Sequence, residues 1–235
     1  MTASEIVEEL KVLGSESIKK TLVRHGAKEP FYGVKIEDLK KIQKRIKKNY
    51  PLALELYATG IADAQYLAGM ITDDALMTKQ DLERWLRGAS WRMIAEYTIP
   101  GVAAQSRFGH ELALKWIGSK QESTATTGWM TYSLLVGITP NEKLDLEEVE
   151  QLLTRIEESI ERAPNRVRYA MNAFVISVGG YVSSLSKLAI QTAKRIGKVE
   201  VDVGDTSCKV PNAVEYIEKM KARGSLGKKR KSAKC

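Results

Sequence analysis

Apolar residues recur along this chain at three- and four-residue spacing, with polar residues between them. Over Val34–Tyr50, residues Ile36, Leu39, Ile42 and Ile46 share one helical face. Asp145–Ile160 repeats the pattern with Leu146, Val149, Leu152, Leu153, Ile156 and Ile160, and its early glutamates suit the positive end of a helix. Asn165–Val178 and Ser184–Ile196 form a further pair, with Gly179-Gly180 read as the stop between them. Gly26, Pro51, Gly60, Gly88, Pro100, Gly118, Pro140, Pro164 and Gly179 cut the chain into helices of roughly 10 to 17 residues, an ordinary globular length. Period-two alternation occurs only in Lys198–Val210, through Val199, Val201 and Val203, and predicts a small hairpin or an extended excursion.

The predicted architecture is all-α. Short helices in antiparallel pairs, without a clean period, suggest a right-handed α-solenoid of degenerate HEAT-like repeats with a concave basic groove. The alternative is a globular bundle, against which the lack of any long helix speaks. Residues 1–222 are expected to form one domain and residues 223–235 a disordered basic tail, since KARGSLGKKRKSAKC contains no acid and no apolar period.

Composition narrows the chemistry. With 43% hydrophobic and 28% charged residues in 235, the chain is ordinary for a globular protein. No window approaches the roughly 18 apolar residues of a membrane span, and the acidic, amphipathic start is not a signal pattern. A cytoplasmic setting is expected, nucleoid-associated in a bacterium, with no membrane and no obligate protein partner. Two cysteines and two histidines supply neither a disulfide framework nor a zinc site, so no metal and no cofactor is expected. The net charge of +8 favours a polyanionic partner, because each cation that neutralises a phosphate releases a counterion.

The cations are clustered. Lys35, Lys40, Lys41, Lys44, Arg45, Lys47 and Lys48 lie on one amphipathic helix, which is either a solvated face or a DNA-backbone contact through residues such as Lys40 and Lys44. PNRVRYAMNAF combines Asn165, Arg166, Arg168, Tyr169 and Asn172 just after Pro164, at a helix N-terminus that attracts anions. Lys228, Lys229, Arg230 and Lys231 give the tail a salt-sensitive contact. In SWRMIAEYTIP, Arg92 and Glu96 stand four apart on one helix face beside Trp91.

Together these stretches resemble a known family. PFYGVKIEDLKKIQKRIKK, SWRMIAEYTIP and NRVRYAMNAFVISVGGY are similar, in order and spacing, to segments of the DNA alkylation repair family, the AlkD-like HEAT-repeat proteins. The resemblance runs over about residues 5 to 195 and implies a C-shaped solenoid whose cationic groove holds double-stranded DNA. The family's glycosylases excise N3- or N7-alkylated purines, stabilising an oxocarbenium-like sugar with a carboxylate beside aromatic faces. Carried over, the catalytic acid falls on Glu96 and a sugar-facing Trp falls on Arg92, with Trp91 one step away. An Arg of the middle repeats falls near Gly128, beside Trp129, and a second Trp falls on Ala173, beside Phe174.

Three functions follow. The first is an alkylpurine DNA glycosylase using Glu96, with Trp91, Trp129 and Tyr97 as aromatic faces and Arg92 either neutralising Glu96 or reaching a phosphate. The second is a non-catalytic binder of damaged, bent or branched DNA on the same scaffold. The third is a protein-interaction solenoid, which the clustered arginines and acid-free tail disfavour. Trp85, Trp116, His25 and His110 are read as structural or surface residues.

Overall fold

In a computed structural model, residues 1–234 are described, and all of their regular elements are helical. The chain forms two units rather than the single domain expected. The first is Met1–Phe108 with Val203–Ser207 and Lys234; the second is Gly109–Asp202 with Cys208–Ala233.

The first unit contains α1 (Ala3–Val12), α2 (Glu16–Arg24), α3 (Ile36–Ile46), α4 (Tyr50–Ala58), α5 (Ala62–Ile71), α6 (Lys79–Arg87) and α7 (Ile99–Gln105), the last entered through a π-helical turn, Ile94–Thr98. Thr2 with Glu5 and Thr78 with Asp81 start α1 and α6 by reciprocal capping, which satisfies backbone donors that a helix leaves orphaned. Leu39 and Ile42 of α3 are buried as the period predicts, whereas Ile36 at its start remains exposed. Tyr57 stacks on Trp85 at 4.1 Å between centroids, and its hydroxyl donates to the Trp85 carbonyl. Trp85 is thus core, as read.

The second unit contains α8 (Gly109–Ile117), α9 (Glu122–Ile138), α10 (Leu146–Ser159), α11 (Asn165–Tyr181), α12 (Ser186–Ile196) and α13 (Ala213–Ala222). Its core joins Trp129, Tyr132, Leu153, Ile156, Phe174 and Val178. Trp129 and Phe174 are completely buried and meet edge to face at 5.4 Å. Trp129 therefore packs the core and offers no aromatic face to a ligand.

Gly179-Gly180 lies in the last turn of α11, which ends one residue later at Tyr181. A Cβ on Gly179 would lie 2.3 Å from Ile217 Cδ1, and one on Gly180 would lie 2.5 Å from Met220 Sδ. The pair is also a seat for α13, a role the breaker signal did not reveal. Of the two readings of 198–210, the excursion is found and the hairpin is not. It is irregular, with Gly204 at φ +70, and it is held by Asn165, whose side chain accepts from the Asp202 N–H and donates to the Asp202 carbonyl, both at 2.8 Å.

The basic tail is held as well. Helices leave their last four carbonyls without helical partners. The Gly227 N–H donates to Gly180 of α11, the Arg230 N–H to Gly137 of α9, and the Lys229 ammonium to Val136 of α9, each at 2.8 Å. A composition with little apolar surface thus finds its order in capping two helix C-termini, where positive charge is also favoured. Lys234 belongs to the first unit, where its ammonium lies 2.5 Å from the buried Asp74 carboxylate.

Burial pushes the Lys229 ammonium down to about 8. In the unfolded chain a lysine keeps its proton to about 10.4, so between these values the folded state binds fewer protons and stability rises with pH. Denaturant midpoints measured at about pH 7.5 and about pH 9.5 should show this rise, and Lys229→Met should diminish it.

Candidate nucleic-acid interface

The SWRMIAEYTIP segment is shaped by its π-helical turn. The Ile94 and Ala95 N–H groups share the Trp91 carbonyl, at 3.1 and 3.4 Å. Such turns interrupt a regular helix where side chains must be re-aimed. The outcome is a carboxylate turned inward: Glu96 is only 2% exposed, and its Oε2 lies 3.5 Å from Arg92 Nη1. Arg92 is fixed from its other side, with Nε donating to the His25 carbonyl at 3.1 Å. Trp91 is half-buried against the cluster of Ala27, Phe31 and Ala62, so it anchors this segment within its unit. Tyr97, 39% exposed, is the aromatic that faces solvent. Of the two roles open to Arg92, the geometry gives neutralisation of Glu96.

The FYGVK step has a structural cause that periodicity could not reveal. The N–H groups of Tyr32, Gly33 and Val34 all donate to the Asp63 carboxylate, at 2.6, 3.3 and 2.8 Å. Gly33, at φ +74, lets the backbone curl around this anion, and a Cβ there would strike Lys19 at 2.8 Å. Asp63 is itself buried in the first turn of α5, the positive end of that helix. This nest fixes where α3 begins.

On α3 the lysines divide into two sets. Lys41 pairs with Asp38, Arg45 with Glu9, Lys48 with Asp73 and Lys35 with Glu37. Lys40, Lys44 and Lys47 are exposed and make no ion pair among the described residues. They are the cations left for an external anion.

In the second unit the N-terminus of α11 is already occupied. The Arg166 N–H donates to Glu122 Oε1 at 2.6 Å, so a carboxylate of the protein takes the position assigned to a phosphate. The Arg166 guanidinium lies 4.5 Å above the Tyr169 ring, a cation–π contact that holds it at the surface. Asn165 is spent on Asp202, and Asn172, 2% exposed, donates to the Pro211 carbonyl at 2.9 Å. Both asparagines position the 198–212 segment and are removed from the set of DNA contacts. Arg168 differs: its Nε is buried and meets no acceptor. In the tail, Lys228 and Lys231 are exposed, while Lys229 is bound to α9 and Arg230 is half-buried.

The remaining carried-over positions are structural. A Cβ on Gly128 would lie 2.5 Å from the Ile117 N atom, so α9 crosses α8 there at backbone contact and admits no arginine. Ala173 packs against the core. One contact escaped the sequence reading: Arg155, from α10, lies 5.9 Å above Trp129 and donates to the Ile117 carbonyl. No local signal links residues 26 apart on different helices.

A family model for DNA alkylation repair enzymes matches residues 6–217. The chain belongs to that family. It is 35% identical over 229 residues to an uncharacterised protein of Listeria innocua, and 33% identical over 229 residues to one of Listeria monocytogenes, covering 95% of this chain and 99% of each relative. A solved structure matches all of this chain and all of its own, with a TM-score of 0.92 and 36% identity. That protein comes from a family described as related to the HEAT-like repeat DNA glycosylases, with affinity for branched DNA structures. The all-α, HEAT-like reading of the sequence is therefore correct. Within the family framework, this chain carries Arg92, Gly128 and Ala173 at three positions that the resemblance assigns to catalysis, and a buried Glu96 at the fourth.

Proposed function

We propose that this protein binds branched or bent duplex DNA through the phosphate backbone and excises no base. The observation that carries this reading is the state of Glu96. A carboxylate that stabilises a cationic sugar must face it with its charge intact. Glu96 is buried and already paired with Arg92, whose guanidinium is tethered to His25. Affinity for branched structures in a protein 36% identical along its whole length supports the choice of partner.

Backbone contact is supplied by the unpaired Lys40, Lys44 and Lys47, by Arg166 on its Tyr169 platform, and by Lys228 and Lys231. Contacts of this kind carry no sequence information, so recognition rests on the shape and deformability of the duplex. Converting Lys40, Lys44 and Lys47 together to alanine should weaken binding to a four-way junction and lower the slope of log affinity against log salt by about 2 to 3, at about 0.9 per phosphate contact. An unchanged slope would remove α3 from the interface.

A further inference from the structure

A cleft of about 730 Å³ lies within the second unit, between α11 and the stretches 197–202 and 209–213. Pockets that hold small organic ligands span about 300 to 1,000 Å³. Its apolar lining includes Val199, Val201 and Pro211. Arg168, from α11, and Lys209 also line it, the lysine exposed and without an ion pair among the described residues.

Arg168 sets the chemistry of the cleft. It is half-buried and makes no ion pair among the described residues, although two carboxylates, Glu200 and Asp202, line the same cleft. A guanidinium is never deprotonated in proteins, and its planar fork matches the paired oxygens of an anion such as phosphate. Charge sets the size of the anion. Arg168, Lys198 and Lys209 face Glu200 and Asp202, and Lys198 already pairs with Glu200 at 3.2 Å. The single positive charge left over is matched better by one phosphate group than by a triphosphate.

We propose that the cleft binds a nucleoside monophosphate, with the phosphate on Arg168 and Lys209 and the base against the valine and proline lining. The nucleotide is either free or the phosphorylated end of a DNA strand. In the first case the proposal is independent of branched-DNA binding, and in the second it extends that reading.

The test is titration of the full chain with dAMP, dATP, inorganic phosphate, and a single-stranded pentanucleotide with and without a 5′-phosphate. We expect dAMP to bind more tightly than dATP and inorganic phosphate, and Arg168→Gln to weaken it about tenfold, the loss of a charged hydrogen-bonded contact. Lys209→Ala, at an exposed position that leaves folding intact, should weaken it about threefold. A phosphorylated pentanucleotide that outcompetes dAMP identifies a strand end as the ligand; the reverse identifies a free nucleotide. Failure of both dAMP and the phosphorylated strand to bind, or an unchanged affinity in both variants, overturns the proposal. So does inorganic phosphate binding as tightly as dAMP. Junction binding measured in parallel separates the two readings: wild-type protein that binds a junction but no nucleotide sinks the cleft alone, and one that binds dAMP but no junction sinks the DNA reading alone.

Discussion

Asp63→Ala is expected to lower the unfolding free energy by about 3 to 5 kcal/mol, near the upper limit for single substitutions. Asp63 touches no candidate ligand. Its carboxylate accepts from three consecutive N–H groups, those of Tyr32, Gly33 and Val34, and Gly33 and Val34 are buried. Removing the acceptor leaves each donor to find water or go unpaired, at about 1 to 3 kcal/mol for a buried group. The loss propagates, because this nest joins the buried Phe31 to the start of α3. Asp63→Asn keeps one acceptor oxygen and the side-chain volume and should show roughly half the effect, since charge-assisted bonds are about twice as strong as neutral ones. Urea denaturation of the three proteins measures this. A change under about 1 kcal/mol for alanine would mean that the nest is not what fixes the segment.

The second large effect is an asymmetry between the two members of one ion pair. Arg92→Ala leaves the Glu96 carboxylate buried without its guanidinium and should cost about 2 to 3 kcal/mol, somewhat less than for a fully buried pair because Arg92 is 29% exposed. Glu96→Gln removes the buried charge and keeps its volume, so it should cost less than about 1 kcal/mol. Combining them should recover part of the Arg92→Ala loss, a coupling of about 1 kcal/mol in a double-mutant cycle. Equal losses for the two single variants would contradict a pair whose main role is to neutralise a buried acid.

These two sites mark what could and could not be read from the chain. The face of α3 was legible because Leu39 and Ile42 obey a period set by the helix itself. The Arg92–Glu96 pair was legible for the same reason, being four residues apart. What escaped were partners fixed by tertiary structure. Asp63 meets Tyr32 across 31 residues, and Asn165 meets Asp202 across 37. Gly179-Gly180 carried a stop signal that said nothing of its second role as a packing seat for α13, some 37 residues on. The tail read as free because composition records apolar content and is blind to orphan carbonyls at the ends of α9 and α11. The same blindness affected the site: Asn165 and Asn172 have the chemistry of DNA contacts, and both are consumed by the 198–212 segment.

A further consequence concerns the N-terminus of α11. Sequence placed a phosphate there, and the structure places Glu122. A carboxylate of the protein already satisfies that backbone donor, and the Arg166 guanidinium rests on Tyr169.

The central claim is binding without excision, and one measurement addresses it most directly. Wild-type protein is incubated with a four-way junction and with a linear duplex, both carrying 7-methylguanine, and bound fraction and released base are recorded together. Salt-sensitive binding that favours the junction is expected, with no base released above the protein-free rate. Release of 7-methylguanine that disappears in Glu96→Gln would contradict it and restore Glu96 as a catalytic acid.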